Sequence, residues 1–132
     1  MPEMSATSDH SVVALCSGSA LIEKGLAVPF EVVYQGELRS AFAVRYQGRA
    51  HAYLNRCAHL PLEMDFQPNR FFDSSARWLI CSTHAALYEP ETGVCVSGPC
   101  AGKLVKIDLS ETGDMVYWHT SPMIRNVLSD HV

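Results

Sequence analysis

An all-β domain is the fold class that the sequence predicts. Short runs of β-branched and aromatic residues recur along the chain, turn residues separate them, and no helical period extends beyond a few turns. The predicted strands cover residues 12–15, 30–34, 41–46, 50–55, 77–81, 87–88, 94–96, 103–109 and 115–119. Turns are indicated at Gln47-Gly48, Glu91-Thr92-Gly93, Ser97-Gly98-Pro99 and Glu111-Thr112-Gly113-Asp114. Consecutive strands joined in this way form hairpins, so the sheets are expected to be antiparallel.

The chain length suits one domain. Its 132 residues, of which 48% are hydrophobic, have the composition of an ordinary globular protein. Residues 1–10 are polar without periodicity and predict a flexible tail, and residues 11–120 are expected to form the domain. Residues 121–132 predict a tail or a short helix, because Ile124, Val127 and Leu128 fall on one helical face.

The charge pattern excludes several partners. The formal net charge is −4 and no cluster of lysine and arginine occurs, so neither nucleic acid nor an anionic membrane is an expected partner. No run approaches the roughly 20 apolar residues that a membrane-spanning helix needs. We therefore expect a cytoplasmic protein, in which Cys16, Cys95 and Cys100 are reduced, buried thiols and a Cys95–Cys100 disulfide does not form.

Two short motifs carry the candidate chemistry. Cys57-Ala58-His59 and Cys81-Ser82-Thr83-His84 each combine one cysteine and one histidine, and each follows a predicted strand. Two such motifs predict a metal site with Cys57, His59, Cys81 and His84 as ligands. Tetrahedral zinc accepts this donor set. A binuclear iron cluster suits the mixed motifs better, because each loop can give its cysteine to one iron and its histidine to the other.

These motifs and their surroundings resemble the Rieske family, in particular the stand-alone ferredoxins and ferredoxin-like subunits of bacterial oxygenase systems. The resemblance rests on residues 57–60, 79–84, 87–93 and 97–99. It implies the Rieske fold, with a small cluster-binding subdomain at about residues 55–102 that carries one [2Fe–2S] cluster per chain. By the same resemblance Cys57 and Cys81 bind the inner iron, and His59 and His84 bind the outer iron. The loop at Gly98-Pro99 covers a third side of the cluster.

The function implied by the resemblance is one-electron transfer from a reductase to a terminal oxygenase or other redox enzyme, without catalysis by this chain. Redox partners are expected to dock near the cluster, on the residues His59, His84, Leu60, Pro61 and Pro99. Three alternatives stay open: a cluster-based redox sensor, a small non-catalytic subunit of a larger oxidoreductase, and a structural zinc module.

Several residues depart from the family pattern. Ala85 stands where glycine usually follows the histidine, which predicts an ordinary backbone conformation there. Ala86 replaces a serine that donates to a sulfur, and Leu62 and Thr83 replace two cysteines that cross-link the loops of high-potential members. Tyr88 retains the place of a donor tyrosine. Fewer donors to sulfur favour the low side of the family's range of roughly −150 to +300 mV.

The spacer between the two motifs and His51 are expected to have structural roles. The spacer at residues 60–77 is longer than usual and predicts a flap or an extra hairpin beside the cluster. Its aromatic residues Phe66, Phe71 and Phe72, and Trp78 after it, are expected in the core. His51 lies in a predicted strand and is expected at the surface or with a hydrogen-bond partner, and not as a ligand.

Overall fold

The computed structural model describes residues 11–58, 62–82, 85–98 and 102–127. Its strands are β1 (Val12–Ser17), β2 (Val28–Tyr34), β3 (Glu37–Tyr46), β4 (Arg49–Leu54), β5 (Leu79–Cys81), β6 (Ala86–Tyr88), β7 (Cys95–Ser97), β8 (Lys106–Ile107), β9 (Leu109–Thr112), β10 (Met115–His119) and β11 (Ile124–Arg125). The one helical element of these residues is a short 3₁₀ turn at Gly18–Ala20. The all-β prediction is confirmed.

The described residues form three antiparallel sheets. The central sheet has the order β11-β2-β3-β4-β8, a second sheet has the order β1-β10-β9, and the smallest has the order β5-β6-β7. The two-residue turn Gln47-Gly48 joins β3 to β4, and both of its residues have positive φ, at 52° and 79°. This conformation matches the right-handed twist of a hairpin, and it explains the glycine at the second position.

The two faces of β3 belong to different cores, because successive side chains of a strand point to opposite faces. Phe42, Val44 and Tyr46 lie in the core that also contains β5 and β6. Ala41 and Ala43 lie in the core that the central sheet shares with β1 and β10. The smallest sheet therefore packs on one face of the central sheet, and the β1-β10-β9 sheet packs on the other.

A tyrosine of the central sheet anchors the hairpin of β6 and β7. The hydroxyl of Tyr53 on β4 donates to the carbonyl of Pro90 at 2.8 Å, and both groups are buried. The main chain also connects the two parts, because the Leu104 N–H donates to the carbonyl of Gly93 at 2.9 Å. These bonds fix the position of the small sheet, and with it the position of the cysteine that ends β5.

The C-terminal segment differs from the expectation of a short helix. Ile124 and Arg125 form strand β11, which pairs with Val33 and Tyr34 on β2. Ile124 is buried in the second core. The free energy of burying this side chain against the sheet outweighs the weak helical pattern of so short a segment.

The spacer is only partly in the core. Phe71 and Phe72 are buried as expected, and Phe71 stacks on Phe42 with 3.7 Å between the ring centroids. Phe66 contradicts the prediction, because 85% of it is exposed. Met64 takes the buried position of this irregular segment, and Phe66, two residues later, lies at the surface. Among the described residues no helix is long and apolar enough to cross a membrane.

Candidate metal centre

The two motif cysteines lie in the same hydrophobic core. Cys57 follows β4 and is 3% exposed, and Cys81 is the last residue of β5 and is 0% exposed. Both belong to the core cluster formed by β3 to β6, and both are thiols. The structure thus brings together two sulfur donors that are 24 positions apart in the sequence.

The remaining predicted site residues lie outside the described residues. These are the predicted ligands His59 and His84, the predicted docking residues Leu60, Pro61 and Pro99, and also Thr83 and Cys100. The assignment of Cys57, His59, Cys81 and His84 as ligands therefore stays a prediction.

Main-chain hydrogen bonds connect each motif cysteine to a residue that follows its motif. The N–H of Cys57 donates to the carbonyl of Leu62, which lies beyond the first motif, at 2.9 Å. The carbonyl of Cys81 accepts from the N–H of Ala85, which follows the second motif, at 2.7 Å. The main chain of each cysteine is therefore hydrogen-bonded to a residue on the far side of its motif, which closes a short loop. Such a loop can direct neighbouring side chains to one centre, which an extended strand cannot do.

Tyr88 is the polar partner of Cys57. Its hydroxyl oxygen accepts from the N–H of Ala58 at 3.2 Å and lies 3.4 Å from the Cys57 sulfur. Because the oxygen already accepts one proton, its own O–H is available to donate to the sulfur. Burial raises the pKa of Tyr88 well above its ordinary value of 10.0, and the bond to Cys57 raises it further. The hydroxyl therefore stays a donor at neutral pH.

Ala85 corrects the expectation of an ordinary backbone conformation. Its φ is +60°, in the left-handed region that glycine adopts without penalty. An alanine in this conformation costs about 1 kcal/mol relative to glycine. The main chain turns at Ala85, whose N–H donates to the Cys81 carbonyl. The turn is kept although the alanine side chain makes this conformation less favourable.

Gly98 lies close to the main chain of β6. Its φ is +100°, and a Cβ atom at this position would lie 2.7 Å from the Cα of Ala86. A side chain is therefore excluded by the main chain of β6. Gly98 therefore lies directly against the strand that follows the second cysteine motif. The expectation that Gly98-Pro99 covers a third side of the cluster stays a prediction.

The other cysteines give two outcomes. Cys16 is a thiol, as predicted, but it is half-buried and not buried as expected. Cys95 is disulfide-bonded, which contradicts the prediction of a reduced thiol. The prediction rested on the expected compartment, and compartment says nothing about which sulfur atoms the fold places within bonding distance. Cys95 is paired with Tyr88 across β6 and β7 and packs against the core that holds Cys57 and Cys81.

His51 also differs from the expectation. Its Nε2 atom is buried and makes no hydrogen bond within the part of the chain that the structure describes. Burial lowers the pKa of His51 from its ordinary value of 6.5, and the positive charge of Lys106 lowers it further.

Residues that the sequence analysis did not identify also shape the site. Asn55 and Asp65 form a hydrogen-bonded pair beside the first cysteine loop. Ser82, within the second motif, is hydrogen-bonded through its N–H to the carbonyl of Met64. No spacing or periodicity marks these polar residues, so the sequence contained no signal that could have identified them.

The donor set fits an iron–sulfur centre. Thiolate is the preferred ligand of iron–sulfur clusters, and both sulfur atoms sit in an apolar core that excludes water. A hydroxyl donor beside Cys57 can stabilise negative charge on the sulfur. The described residues thus offer two thiols and one hydroxyl of the kind that such a cluster needs.

Three comparisons place the chain among known proteins. The family model described as the Rieske [2Fe-2S] domain matches residues 12–112. The comparison with curated proteins finds no match. Among solved structures, the ferredoxin of carbazole 1,9a-dioxygenase from Nocardioides aromaticivorans IC177 is similar, with 19% sequence identity, a TM-score of 0.61, and coverage of 82% of this chain and 96% of that chain.

Two further solved structures are similar to this chain. The terminal oxygenase of carbazole 1,9a-dioxygenase from Novosphingobium sp. KA1 has 18% identity and a TM-score of 0.65 over 83% of this chain, which spans only 30% of that oxygenase. A complex of reduced oxygenase and oxidized ferredoxin in carbazole 1,9a-dioxygenase has 17% identity and a TM-score of 0.62, over 84% of this chain and 93% of that chain. At these identities the likeness shows a shared fold. Since the family model spans most of the strands and both cysteine loops, this chain belongs to the Rieske [2Fe-2S] domain family.

Proposed function

We propose that the chain is a one-electron carrier whose single [2Fe–2S] cluster is bound by Cys57, His59, Cys81 and His84. The observation that carries the proposal is the pair of buried thiols in one core, each beside a motif histidine in the sequence. When bound, the cluster supplies a one-electron redox couple. Membership of the family supports the cofactor, and the loop geometry around both cysteines supports these ligands.

The residues around the sulfur atoms favour a low reduction potential. Tyr88 is positioned to donate to Cys57, and Ala86 has no hydroxyl to donate. Each donor to a cluster sulfur stabilises the additional electron, so a site with few side-chain donors holds that electron less tightly. We expect a potential in the lower part of the family's range, below about +100 mV.

The proposed partners are a reductase as donor and a terminal oxygenase or similar redox enzyme as acceptor. The solved structures that resemble this chain include a complex between an oxygenase and a ferredoxin, which supports an acceptor of this class. Apolar side chains are exposed beside the cysteine loops: Leu62 follows the first motif and is 44% exposed, and Phe66 is hydrogen-bonded through its N–H to Ser82. An apolar surface at this position suits a transient protein contact.

The cytoplasmic location is also a proposal. The disulfide at Cys95 does not support it, because structural disulfides are rare in reducing compartments.

Electron paramagnetic resonance of the dithionite-reduced protein, with iron and acid-labile sulfide assays on the same sample, tests the proposal. We expect a rhombic signal of low average g, and about two irons and two sulfides per chain. Cys57→Ser and Cys81→Ser should abolish the signal, whereas Cys16→Ser, the matched control in β1, should leave it unchanged. A colourless protein that contains zinc after iron–sulfur reconstitution would instead establish the structural zinc module.

Electron transfer to an oxygenase tests the proposed acceptor and docking surface. The reduced protein is mixed with the terminal oxygenase of carbazole 1,9a-dioxygenase, and its oxidation is followed by stopped-flow absorbance. Phe66→Ser should lower the second-order rate constant about tenfold without changing the potential. Ile22→Ser is the control, because Ile22 is also exposed but lies near the Gln47-Gly48 turn, at the opposite end of the central sheet. Equal rates for the two variants would exclude Phe66 from the contact.

A further inference from the structure

The segment of residues 62–69, which we call the strap, connects the two cysteine loops. Its first residue, Leu62, accepts through its carbonyl from the N–H of Cys57. Met64 accepts through its carbonyl from the N–H of Ser82 at 2.9 Å, and the N–H of Phe66 donates to the Ser82 hydroxyl at 3.4 Å. Ser82 directly follows Cys81 in the sequence. The strap is therefore bonded both to one cysteine and to the immediate neighbour of the other.

A polar pair, with Asn55 buried and Asp65 half-buried, holds the strap in this position. The side-chain amide of Asn55 donates to one carboxylate oxygen of Asp65 at 2.9 Å, and its carbonyl oxygen accepts from the N–H of Met64 at 2.7 Å. The second carboxylate oxygen of Asp65 accepts from the N–H of Asn69 at 2.8 Å. Asn55 is only 8% exposed. Removing one partner from such a pair leaves a buried polar group without a hydrogen bond, which is costly.

The pair is anchored to the central sheet. The N–H of Asn55 donates to the carbonyl of Ser40 on β3 at 2.9 Å. Met64 is completely buried in the core that contains Cys57 and Cys81. Asn55 thus fixes the strap relative to β3, and the strap is in turn hydrogen-bonded to both cysteine loops.

We propose that Asn55 and Asp65 are positioning residues that hold the strap across the two cysteine loops and so fix the separation of Cys57 and Cys81 before the cluster binds. The inference rests on the proposed function, since it assigns these residues a role toward the same site. Ligands held in place by a supporting hydrogen-bond network bind a metal centre more tightly, because less order must be imposed on binding. If the strap detaches, the two loops move independently and the cluster becomes accessible to solvent.

The test compares Asp65→Asn with Asp73→Asn. The first replacement is nearly isosteric but removes one of the two acceptors, so either Asn55 or Asn69 loses its partner. Asp73 is the matched control in the same spacer: its carboxylate accepts from Ser75 and from the N–H groups of Arg77 and Trp78, away from the strap. The readouts are the rate of cluster loss to a chelator, the g values of the reduced protein, and hydrogen exchange of peptides that contain Cys57 and Ser82.

A rescue variant separates positioning from general stability. Asn55→Asp alone places two carboxylates against each other, which should release the strap. In the double variant Asn55→Asp with Asp65→Asn, the amide at position 65 donates to the carboxylate at position 55. Met64 and Asn69 then keep their acceptors. The double variant should therefore restore the properties of the original chain.

We expect Asp65→Asn to lose its cluster about tenfold faster than the original chain, with altered g values and faster exchange in both loop peptides. Asp73→Asn should stay within about twofold, and the double variant should return to the original rate. Equal behaviour of Asp65→Asn and Asp73→Asn, or no rescue, would overturn the proposal. If the original chain binds no iron–sulfur cluster, the proposed function fails, and the exchange rates of the loop peptides still decide whether the strap positions the cysteines.

Discussion

At the scale of single residues, Tyr88 is the side chain with the clearest expected effect on the redox couple. Its hydroxyl lies 3.4 Å from the Cys57 sulfur, and its O–H can donate to that sulfur while its oxygen accepts from the N–H of Ala58. The hydrogen bond should be stronger when the cluster carries the additional electron. The O–H group therefore favours the reduced form.

We accordingly expect Tyr88→Phe to lower the reduction potential. A difference of about 1 kcal/mol in hydrogen-bond strength between the two redox states corresponds to roughly 40 mV for a one-electron couple. The measurement is a spectroelectrochemical titration of the holoprotein. Tyr53→Phe is the control, because the Tyr53 hydroxyl is also buried but donates to the Pro90 carbonyl. An equal shift in both variants would attribute the effect to altered packing.

Ala85 leads to a second prediction at this scale. Its φ of +60° is unfavourable for alanine and neutral for glycine. Ala85→Gly should therefore stabilise the protein, by less than about 1 kcal/mol because glycine also increases the entropy of the unfolded chain. Chemical denaturation monitored by tryptophan fluorescence measures this difference. A loss of stability would show that the alanine side chain makes a contact worth more than the strain.

At the scale of elements, the sequence predicts a segment when its apolar residues recur with a regular period. The alternation of Phe42, Val44 and Tyr46 predicts a strand, because one face of β3 packs in a core. The strap has no such period: its path is set by the bonds of Asn55 and Asp65, which follow no repeating spacing. The exposure of Phe66 was unpredictable for the same reason, since composition alone assigns an aromatic residue to the core.

The candidate site shows the same division. Both cysteine motifs are recognisable from spacing, whereas the core in which Cys57 and Cys81 lie together is a property of the fold. The conformation of Ala85 was predicted wrongly, because a cost of about 1 kcal/mol is small enough for a loop to bear. The bonded state of Cys95 was also predicted wrongly, because it depends on the geometry of the fold.

Arg45 connects two of the sheets, and its removal should weaken the fold. From β3 it makes a bidentate ion pair with Glu111 on β9, with its closest approach at 2.9 Å. It also donates to the carbonyls of Leu21, Gly18 and Gly48. Lysine has a single ammonium group and cannot reproduce this planar fork.

We expect Arg45→Lys to reduce the free energy of unfolding by about 2 kcal/mol, because several main-chain carbonyls lose their donor. Arg49→Lys, at an exposed arginine on the next strand, serves as the control and should change stability by less than about 0.5 kcal/mol. Urea denaturation of both variants provides the comparison. A similar loss in the two would mean that Arg45 contributes only through its charge.

At the scale of the whole molecule, two carboxylates make stability depend on pH. The ion pair with Arg45 lowers the pKa of Glu111 below its ordinary value of 4.5. Main-chain donation, from Gly48 first and then from Gln47, lowers the pKa of Glu23 in the same direction. Both groups sit near the turn between β3 and β4, where the central sheet meets the β1-β10-β9 sheet. The contacts that join these two sheets are therefore sensitive to acid.

The sign of the effect follows from the direction of these shifts. A carboxylate whose pKa is lower in the folded state stabilises that state above its unfolded pKa, and this contribution is lost as the pH falls through the folded pKa. The original chain should thus be more stable than Glu111→Gln at pH 7, by less than about 1 kcal/mol because the pair is partly exposed to solvent. The difference should shrink as the pH falls below the ordinary value of 4.5 and vanish once the pH lies below the lowered pKa of Glu111. Urea midpoints of both proteins across this range measure the difference directly, and because both carry the same cysteine loops, any acid lability of the cluster cancels in it. A difference that stays constant with pH would show that the loss in Glu111→Gln comes from altered packing and that the charge of Glu111 contributes nothing to joining the sheets.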